Sequence, residues 1–206
     1  MNIDITPVLC GMIGENAYIA GAEGRRDCVV VDPGDEPEKI EQALGDRRPG
    51  AILLTHGHFD HIMAVQPLAE RFCAPVYLAE ADLEMLNDPG KNGYEALTGR
   101  RQAAWPPVNA VPFPDTLEVA GMTFQVLPTP GHSRGSVCLY LKDEGLLFSG
   151  DTLFRAGYGR MDLYGGDLQA MIASLRFLFA LPPETRVFPG HGEETTIGAE
   201  KARYRL

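Results

Sequence analysis

Apolar residues in this chain occur in short runs separated by turns rich in glycine, proline and aspartate. In the first half of the chain one of these runs, Ala51–Leu54, contains no polar residue. A strand without polar alternation is typical of a sheet that is covered on both faces. The pattern predicts strands over Ile3–Leu9, Ala17–Gly21, Asp27–Val31, Ala51–Leu54 and Val76–Leu78, and helices over Pro37–Leu44, Met63–Phe72 and Ala81–Leu86.

The second half of the chain repeats this alternation, and Gly121 marks a hairpin between two predicted strands. Strands and helices that alternate in both halves favour a layered α/β domain over an all-β barrel. The length of 206 residues suits a single domain, residues 1–206, with a substantial core. The predicted elements are strands over Thr116–Ala120, Thr123–Leu127, Ser136–Leu141, Gly145–Phe148 and Arg186–Phe188, and an apolar helix over Leu168–Leu181.

Between the two halves, the segment Asp88–Pro114 is rich in glycine, proline and asparagine around the single tryptophan, Trp105. Long irregular segments inside a domain are usually functional or mobile. The segment is therefore a candidate lid over a substrate site. The alternative is a surface loop that the fold merely tolerates.

Acidic residues outnumber basic ones, with 28 Asp and Glu against 18 Lys and Arg and a formal net charge of -10. This balance argues against a broad basic face that binds nucleic acid. No apolar stretch approaches the length of a membrane span, and the first basic residue is Arg25, so the charged start of a secretory signal is missing. We expect a cytoplasmic protein that acts on a small molecule, without nucleic acid or membrane partners. Its four cysteines show no CxxC spacing and are expected to be reduced: Cys10, Cys28, Cys73 and Cys138.

All 5 histidines lie at predicted strand ends or turns, where active sites collect. Three of them stand with an aspartate in "LLTHGHFDHI", directly after the apolar strand. Side chains alternate in an extended segment, so His56 and His58 point the same way and can bind one ion together. Asp60 and His61 follow as the chain turns into the next helix. Because four ligands are too many for one ion here, two adjacent metal sites are predicted.

Three further candidate ligands follow along the chain: His132 in "PTPGHSRGS", Asp151 in "LLFSGDTLF" and His191 in "FPGHGEE". A carboxylate has two oxygens and can bridge two cations, which a neutral imidazole cannot do. We therefore assign Asp151 to both ions. The other ligands are divided between a first ion, with His56, His58 and His132, and a second ion, with Asp60, His61 and His191. Nitrogen and oxygen ligands of this kind suit zinc, iron or manganese.

The order of these residues resembles the HxHxDH...H...D...H pattern of the metallo-β-lactamase-fold hydrolases. The similar stretches are "THGHFDH", "VDPG" at Val31–Gly34, "PGH" at Pro130–His132, "GD" at Gly150–Asp151 and "PGH" at Pro189–His191. The resemblance implies a four-layer αββα sandwich with a dinuclear site at one edge of two packed sheets. It also implies two divalent metal ions, with zinc expected first and iron or manganese as alternatives.

Within that superfamily the chain is most similar to the short bacterial glyoxalase II proteins, the hydroxyacylglutathione hydrolases. Its "GDTLFRAGYGRMDLYGGD" stretch resembles a segment that they share with persulfide dioxygenases. Zinc β-lactamases of the best-known class have cysteine where Asp151 stands, and flavodiiron proteins have glutamate in place of His58. The likeness implies hydrolysis of a thioester such as S-lactoylglutathione or a related acyl-thiol. Asp151 and Asp60 are then the catalytic carboxylates, and Asp60 also orients the nucleophile.

Other functions stay open. A persulfide dioxygenase would use a single iron held by His56, His132 and Asp151, and a lactonase-type hydrolase would use a similar ligand set. A nuclease is disfavoured by the acidic balance, and a non-enzymatic metal-binding domain is a further alternative.

Three residues are candidates for substrate binding. Arg160 stands where glyoxalase II proteins generally have a thiol-binding lysine, and its guanidinium could pair with a substrate carboxylate. Alternatively, Arg160 pairs with Asp162 or Asp167 and holds its own loop. Tyr158 and Tyr164 are expected at the same mouth, with packing as the alternative. Glyoxalase II proteins also carry a helical extension after the last metal histidine that helps to bind glutathione, and this chain lacks its length, so the thiol carrier stays open.

Overall fold

Strands form two six-stranded sheets in the part of the chain that the computed structural model describes, residues 2–101 and 107–204. In the first sheet the strands follow chain order, antiparallel up to the third strand and parallel from the third strand onward. These strands are β1 (Ile3–Cys10), β2 (Glu15–Ala22), β3 (Asp27–Val31), β4 (Arg48–Leu53), β5 (Val76–Leu78) and β6 (Ala110–Pro112).

The second sheet also keeps chain order, with one parallel pair, between its fourth and fifth strands, among antiparallel neighbours. Its strands are β7 (Thr116–Val119), β8 (Met122–Pro128), β9 (Val137–Leu141), β10 (Leu146–Gly150), β11 (Arg186–Pro189) and β12 (Thr195–Thr196). Each half of the chain therefore contributes one sheet.

The inner strands are apolar on both faces because they face two different cores. On β3, Val29 and Val31 pack between the sheets with Phe124 and Phe148 of the second sheet. Val30 of the same strand faces the opposite way, into the core under the helices of the first half. This arrangement confirms the prediction of a sheet covered on both faces, which rested on the unbroken apolar run at the end of β4.

Helices cover the outer face of each sheet and complete the four-layer αββα sandwich. On the first sheet they are α1 (Pro37–Leu44) and α2 (Val65–Phe72), whose buried residues join the outer core of that sheet. The second sheet is covered by α4 (Leu168–Leu178) and α5 (Ile197–Lys201). The side chain of Asp167 caps the first turn of α4 by accepting a hydrogen bond from the amide of Ala170 at 2.8 Å, and Met171, Leu175 and Leu178 form its buried stripe.

The segment Asp88–Pro114 contains regular structure that the sequence did not predict. It includes the short helix α3 (Tyr94–Thr98) and the edge strand β6. Trp105 lies outside the described residues. The helix predicted over Ala81–Leu86 is a 3₁₀ segment, Glu80–Met85, and a second 3₁₀ turn, Phe59–His61, follows β4.

The described part of the chain contains no helix that is long and apolar enough to cross a membrane.

Candidate metal centre

Loops at one edge of the sandwich carry all the candidate ligands. His56 follows β4 in the first sheet, and His132, Asp151 and His191 follow β8, β10 and β11 in the second. These strands run in the same direction within each sheet, so their carboxyl ends meet at one edge. Gly57 lets the first loop pass close to its neighbours, because a Cβ there would lie 2.8 Å from the Cβ of Met85.

The first predicted ligand set, His56, His58 and His132, is brought together in the structure. Nitrogen atoms of the three buried rings lie within 4.8 Å of one another. Nδ1 of His58 and Nε2 of His132 are 2.7 Å apart, so the two rings present nitrogen atoms to the same small space.

Hydrogen bonds outside this set fix which ring nitrogen faces the site. Nδ1 of His132 donates to the backbone oxygen of Arg160 at 2.7 Å, which leaves Nε2 as the free lone pair. The hydroxyl of Thr55 donates its hydrogen to Asp32 at 2.6 Å and therefore accepts from Nδ1 of His56 at 3.0 Å. Both rings thus present Nε2 in the form that binds metal.

The second predicted set, Asp60, His61 and His191, also has its ligand atoms within 4.8 Å of one another. Nε2 of His191 lies 3.2 Å from Oδ2 of Asp60, and Nε2 of His61 lies 3.6 Å from the same oxygen. Nδ1 of His191 donates to the backbone oxygen of Gly14 at 3.3 Å, so its Nε2 faces the carboxylates.

Asp151 lies between the two sets. Its Oδ2 is 3.5 Å from Nε2 of His132 in the first set, and its Oδ1 is 3.4 Å from Nε2 of His61 in the second. One carboxylate oxygen therefore faces each set, which is the arrangement that a bridging ligand needs.

The residues fit bound cations because several of their buried atoms lack partners. Nε2 of His56, Nε2 of His61 and Oδ1 of Asp151 are buried and make no hydrogen bond to any described residue. A buried polar atom left unsatisfied costs about 1–3 kcal/mol. Coordination of metal ions by these atoms would remove that cost for all three at once.

The electrostatics of the site keep His56, His58 and Asp151 in their metal-binding forms, whereas the carboxylates around His61 favour its protonated form. Burial and the neighbouring imidazoles lower the pKa of His58 to about 3 and that of His56 well below its usual value. Burial alone would raise the pKa of Asp151, but His61 and His132 outweigh it and hold that pKa well below its usual value. Around His61 burial is opposed by Asp151 and Asp60, and the pKa of His61 lies well above 6.5.

Asp32 is a further candidate residue of the site, and the sequence marks it only as part of the "VDPG" stretch. Its Oδ2 lies 3.1 Å from Nδ1 of His61, and its Oδ1 accepts the amide hydrogen of Thr55 at 2.7 Å. It can itself join a ligand set with His56 and His61. Because it engages Nδ1 of His61, we assign it to orienting that ring so that Nε2 faces Asp151.

Asp82 is a second residue that the sequence did not single out. Its buried carboxylate joins the two loops that carry the first ligand set: Oδ2 accepts from the amide of Gly57 at 3.1 Å and from the hydroxyl of Ser133 at 2.6 Å. Oδ1 accepts from the amide of Gly135 at 2.7 Å. No sequence pattern marks this residue, because its partners come from loops more than fifty positions apart.

The candidate substrate residues are more dispersed than the ligands. The guanidinium of Arg160 makes two hydrogen bonds to Asp162, at 2.7 and 2.8 Å, while its side chain helps to line a cavity of about 280 Å³ over the metal ligands. This pairing with Asp162 agrees with the alternative interpretation, in which Arg160 holds its own loop. Tyr164 donates its hydroxyl to Glu84 at 2.7 Å, and the ring of Tyr158 lies 6.0 Å from that of Tyr204.

The layered fold and this cluster of histidines and aspartates define a metallo-hydrolase. The family model described as the metallo-beta-lactamase superfamily matches residues 11–191. The chain belongs to this superfamily.

Two curated relatives cover nearly the whole chain. The chain is 40% identical to the probable metallo-hydrolase YqgX of Bacillus subtilis, across 93% of this chain and 91% of the relative. It is 31% identical to the hydroxyacylglutathione hydrolase GloC of Haemophilus influenzae, across 98% of this chain and 95% of the relative. Both relatives support a metallo-hydrolase. GloC, the relative that supports the glyoxalase II branch, has the lower sequence identity to this chain.

Three solved structures are similar to this chain over most of their own length. The BLEG-1 B3 metallo-beta-lactamase shares 40% identity with a TM-score of 0.90, and the match covers 97% of each chain. TTHA1623 in a di-iron-bound form shares 44% identity with a TM-score of 0.83, covering 95% of this chain and 96% of that one. ETHE1 from Myxococcus xanthus shares 30% identity with a TM-score of 0.74, covering 96% of this chain and 81% of that one.

Proposed function

We propose that this protein is a dinuclear-metal hydrolase that cleaves a thioester, such as S-lactoylglutathione or a related acyl-thiol. The observation that carries the proposal is the position of Asp151, with one carboxylate oxygen toward each ligand set. The similarity to GloC supports thioester chemistry. The ligand assignment is the one made above, with zinc expected first and iron or manganese as alternatives.

When bound, two divalent ions supply a nucleophile at neutral pH and polarise the carbonyl that it attacks. In the net reaction water adds to the acyl carbon, the carbon–sulfur bond breaks, and the products are a carboxylate and a free thiol. Asp151 would hold the two ions through one carboxylate oxygen each, and Asp60 of the second set would hold one ion and orient the attacking water. Because a thiol ionises near pH 8.5, its departure needs little help from a general acid.

Arg160 is proposed to bind substrate at the mouth of the cavity. Its side chain lines the cavity and is exposed, and its pairing with Asp162 holds it near the ligands. A substrate carboxylate would replace Asp162 in this bidentate contact. Tyr158 and Tyr164 remain weaker candidates, because both already contact other side chains.

Metal content and thioester cleavage test the proposal together. Protein purified without added metal is analysed for metal per chain, and the same sample is assayed with S-lactoylglutathione, with and without oxygen. About two ions per chain with oxygen-independent cleavage is the expected result. A lactone and a β-lactam are assayed in parallel, and cleavage of either one would indicate lactonase or β-lactamase activity.

Persulfide dioxygenation at a single iron is a second candidate. A His/His/Asp set is available in His56, His132 and Asp151, which suits iron with open positions. The similarity to ETHE1 is compatible with it. Persulfide dioxygenation would be favoured by one iron per chain, no thioester cleavage and oxygen uptake with glutathione persulfide.

A further inference from the structure

A second cavity, of about 360 Å³, lies beside the metal centre. One wall is the turn between β1 and β2, where Gly11 and Gly14 have φ of +64° and +69° and project Met12 and Ile13 from a short tip. Met63, Leu97 and Phe59 also line the cavity.

The apolar residues at this cavity are exposed to solvent. Met12 is 80% exposed, Ile13 47%, Leu97 42% and Met63 39%. Exposed apolar groups that cluster around a cavity mark a binding surface more often than scattered ones do. The charged residues in the lining are Asp35, Asp60 and Arg100, with Asp60 on the side of the metal ligands.

The cavity adjoins the smaller cavity over the metal ligands. Ile13, Asp60 and Leu97 line both this cavity and the smaller one over the ligands. Asp60 belongs to the second ligand set, so a substrate whose reacting carbonyl lies at the ligands can extend one end into the apolar cavity. The other end is then free to leave past Arg160, which lines only the smaller cavity.

Resting on the function proposed above, we propose that this cavity binds the acyl part of the substrate and that the acyl part is an unbranched aliphatic chain. A small hydroxylated acyl group such as lactoyl would leave these apolar walls exposed to water. An aliphatic chain buries them and gains binding energy with each methylene. Substrate choice is thereby assigned to the β1–β2 turn and α3.

An acyl series tests this selectivity. Acetyl, butanoyl, hexanoyl and octanoyl thioesters of glutathione, and of N-acetylcysteamine as a small carrier, are compared by kcat/KM after correction for uncatalysed hydrolysis. We expect kcat/KM to rise roughly two- to fourfold per added methylene until the cavity is filled. Independently of turnover, calorimetry on the metal-loaded protein should find octanoate binding at least tenfold tighter than acetate.

Two variants test whether the selectivity for long acyl chains depends on the apolar lining of the cavity. Ile13→Asn and Leu97→Asn should each lower the octanoyl-to-acetyl ratio of kcat/KM about fivefold or more. Leu168→Asn is the matched control, because Leu168 is a half-exposed leucine on α4, outside both cavities, and should leave the ratio unchanged.

Different failures overturn different proposals. Cleavage of every acyl-thiol at a rate independent of chain length, with equal binding of octanoate and acetate, overturns the acyl site and leaves the hydrolase. No cleavage of any acyl-thiol overturns the proposed function, while the octanoate calorimetry still decides whether the cavity binds an aliphatic chain. If Ile13→Asn instead converts a dimer into a monomer in sedimentation and leaves the ratio unchanged, the surface is a contact between copies and the acyl site is wrong.

Discussion

At the scale of single residues, Asp151 and Asp82 show what local sequence can and cannot reveal. Asp151 could be singled out as a candidate ligand from the sequence. It is a charged residue that directly follows an apolar strand, and it stands out from its neighbours. The position of Asp82 was not predictable, because its hydrogen bonds go to the amides of Gly57 and Gly135 and to a hydroxyl of a distant loop. A sequence shows chemical type and spacing, whereas hydrogen bonds between separate loops exist only in the folded chain.

Replacing Asp151 with asparagine should remove the bridge while keeping the shape of the side chain. An amide oxygen is uncharged and cannot serve two cations as a carboxylate does. We expect turnover to fall more than about 100-fold, since even outer partners of metal ligands contribute 10- to 100-fold. Elemental analysis of Asp151→Asn should find fewer ions per chain, with an unchanged circular dichroism spectrum. Asp143→Asn, in the exposed turn between β9 and β10, is the control. Two ions with full turnover in Asp151→Asn would contradict the bridging role.

Asp82→Asn should weaken metal binding without touching a ligand. The carboxylate accepts three hydrogen bonds, and the amide group of asparagine would turn donors toward the amide of either Gly57 or Gly135. We expect a loss of about 1–3 kcal/mol in unfolding free energy and roughly 10- to 100-fold in metal affinity. Urea unfolding and chelator competition measure the two effects. A loss of stability with unchanged metal affinity would limit Asp82 to a structural role.

The cysteines should differ sharply in reactivity. Burial raises the pKa of Cys10 and Cys28 to about 11 and that of Cys138 to about 12, whereas Cys73 is exposed. Only thiolates react quickly with disulfide reagents. A thiol titration of the native protein at pH 8 should find one fast thiol, and Cys73→Ser should remove it. All four should react after denaturation, and two fast thiols in the native protein would disagree with the described burial.

At the scale of elements, the predictable ones are those with strong apolar patterns. The central strands and the helices α1 and α4 were predicted within a few residues, because each must bury a continuous stripe or face. The missed elements are α3, β6, β12 and α5, which are short or lie at sheet edges. Their few apolar residues leave a weak periodicity, and Pro112 in β6 is itself a signal against a strand.

The end of α2 offers a stabilising change. Cys73 follows its last residue with φ of 52°, in the left-handed region that glycine adopts without strain. Cys73→Gly should therefore raise the unfolding free energy by about 0.5–1 kcal/mol, the relief of strain exceeding the added freedom of the unfolded chain. Thermal or urea unfolding measures it. Ala69→Gly, inside the same helix, is the control and should lower stability by a similar amount.

At the scale of the whole molecule, the two sheets share a core, and hydrogen bonds beside the candidate ligands also join β2 of the first sheet to the end of β11 in the second. The side chain of Asn16 on β2 donates to the backbone oxygens of Pro189 and Gly192, at 3.0 and 2.9 Å. The hydroxyl of Tyr18 donates to Pro189 at 2.7 Å. The four-layer architecture was predictable from the alternation of elements and from the family resemblance, but these contacts between sheets were not.

Because each sheet contributes ligands, removing metal should loosen the whole molecule. A ligand that binds only the folded state stabilises it by about 4 kcal/mol at a thousand times its dissociation constant. We expect chelation to lower Tm by several degrees and added zinc to restore it. Calorimetry with and without chelator measures this shift. Asp151→Asn should show a smaller one, and an unchanged Tm in the wild-type protein would mean that its ions do not hold the sheets together.

The spread of the ligands along the chain also affects how the protein is made. A ribosome releases His56 to His61 early, but the partners that complete each set, His132 and His191, emerge much later. Since the chain is synthesised from its N-terminus, His56 to His61 pass through much of translation before the residues that complete their sets exist. Both proposed ligand sets can be complete only after His191 has left the exit tunnel, so a chain terminated before that point could hold at most the first set.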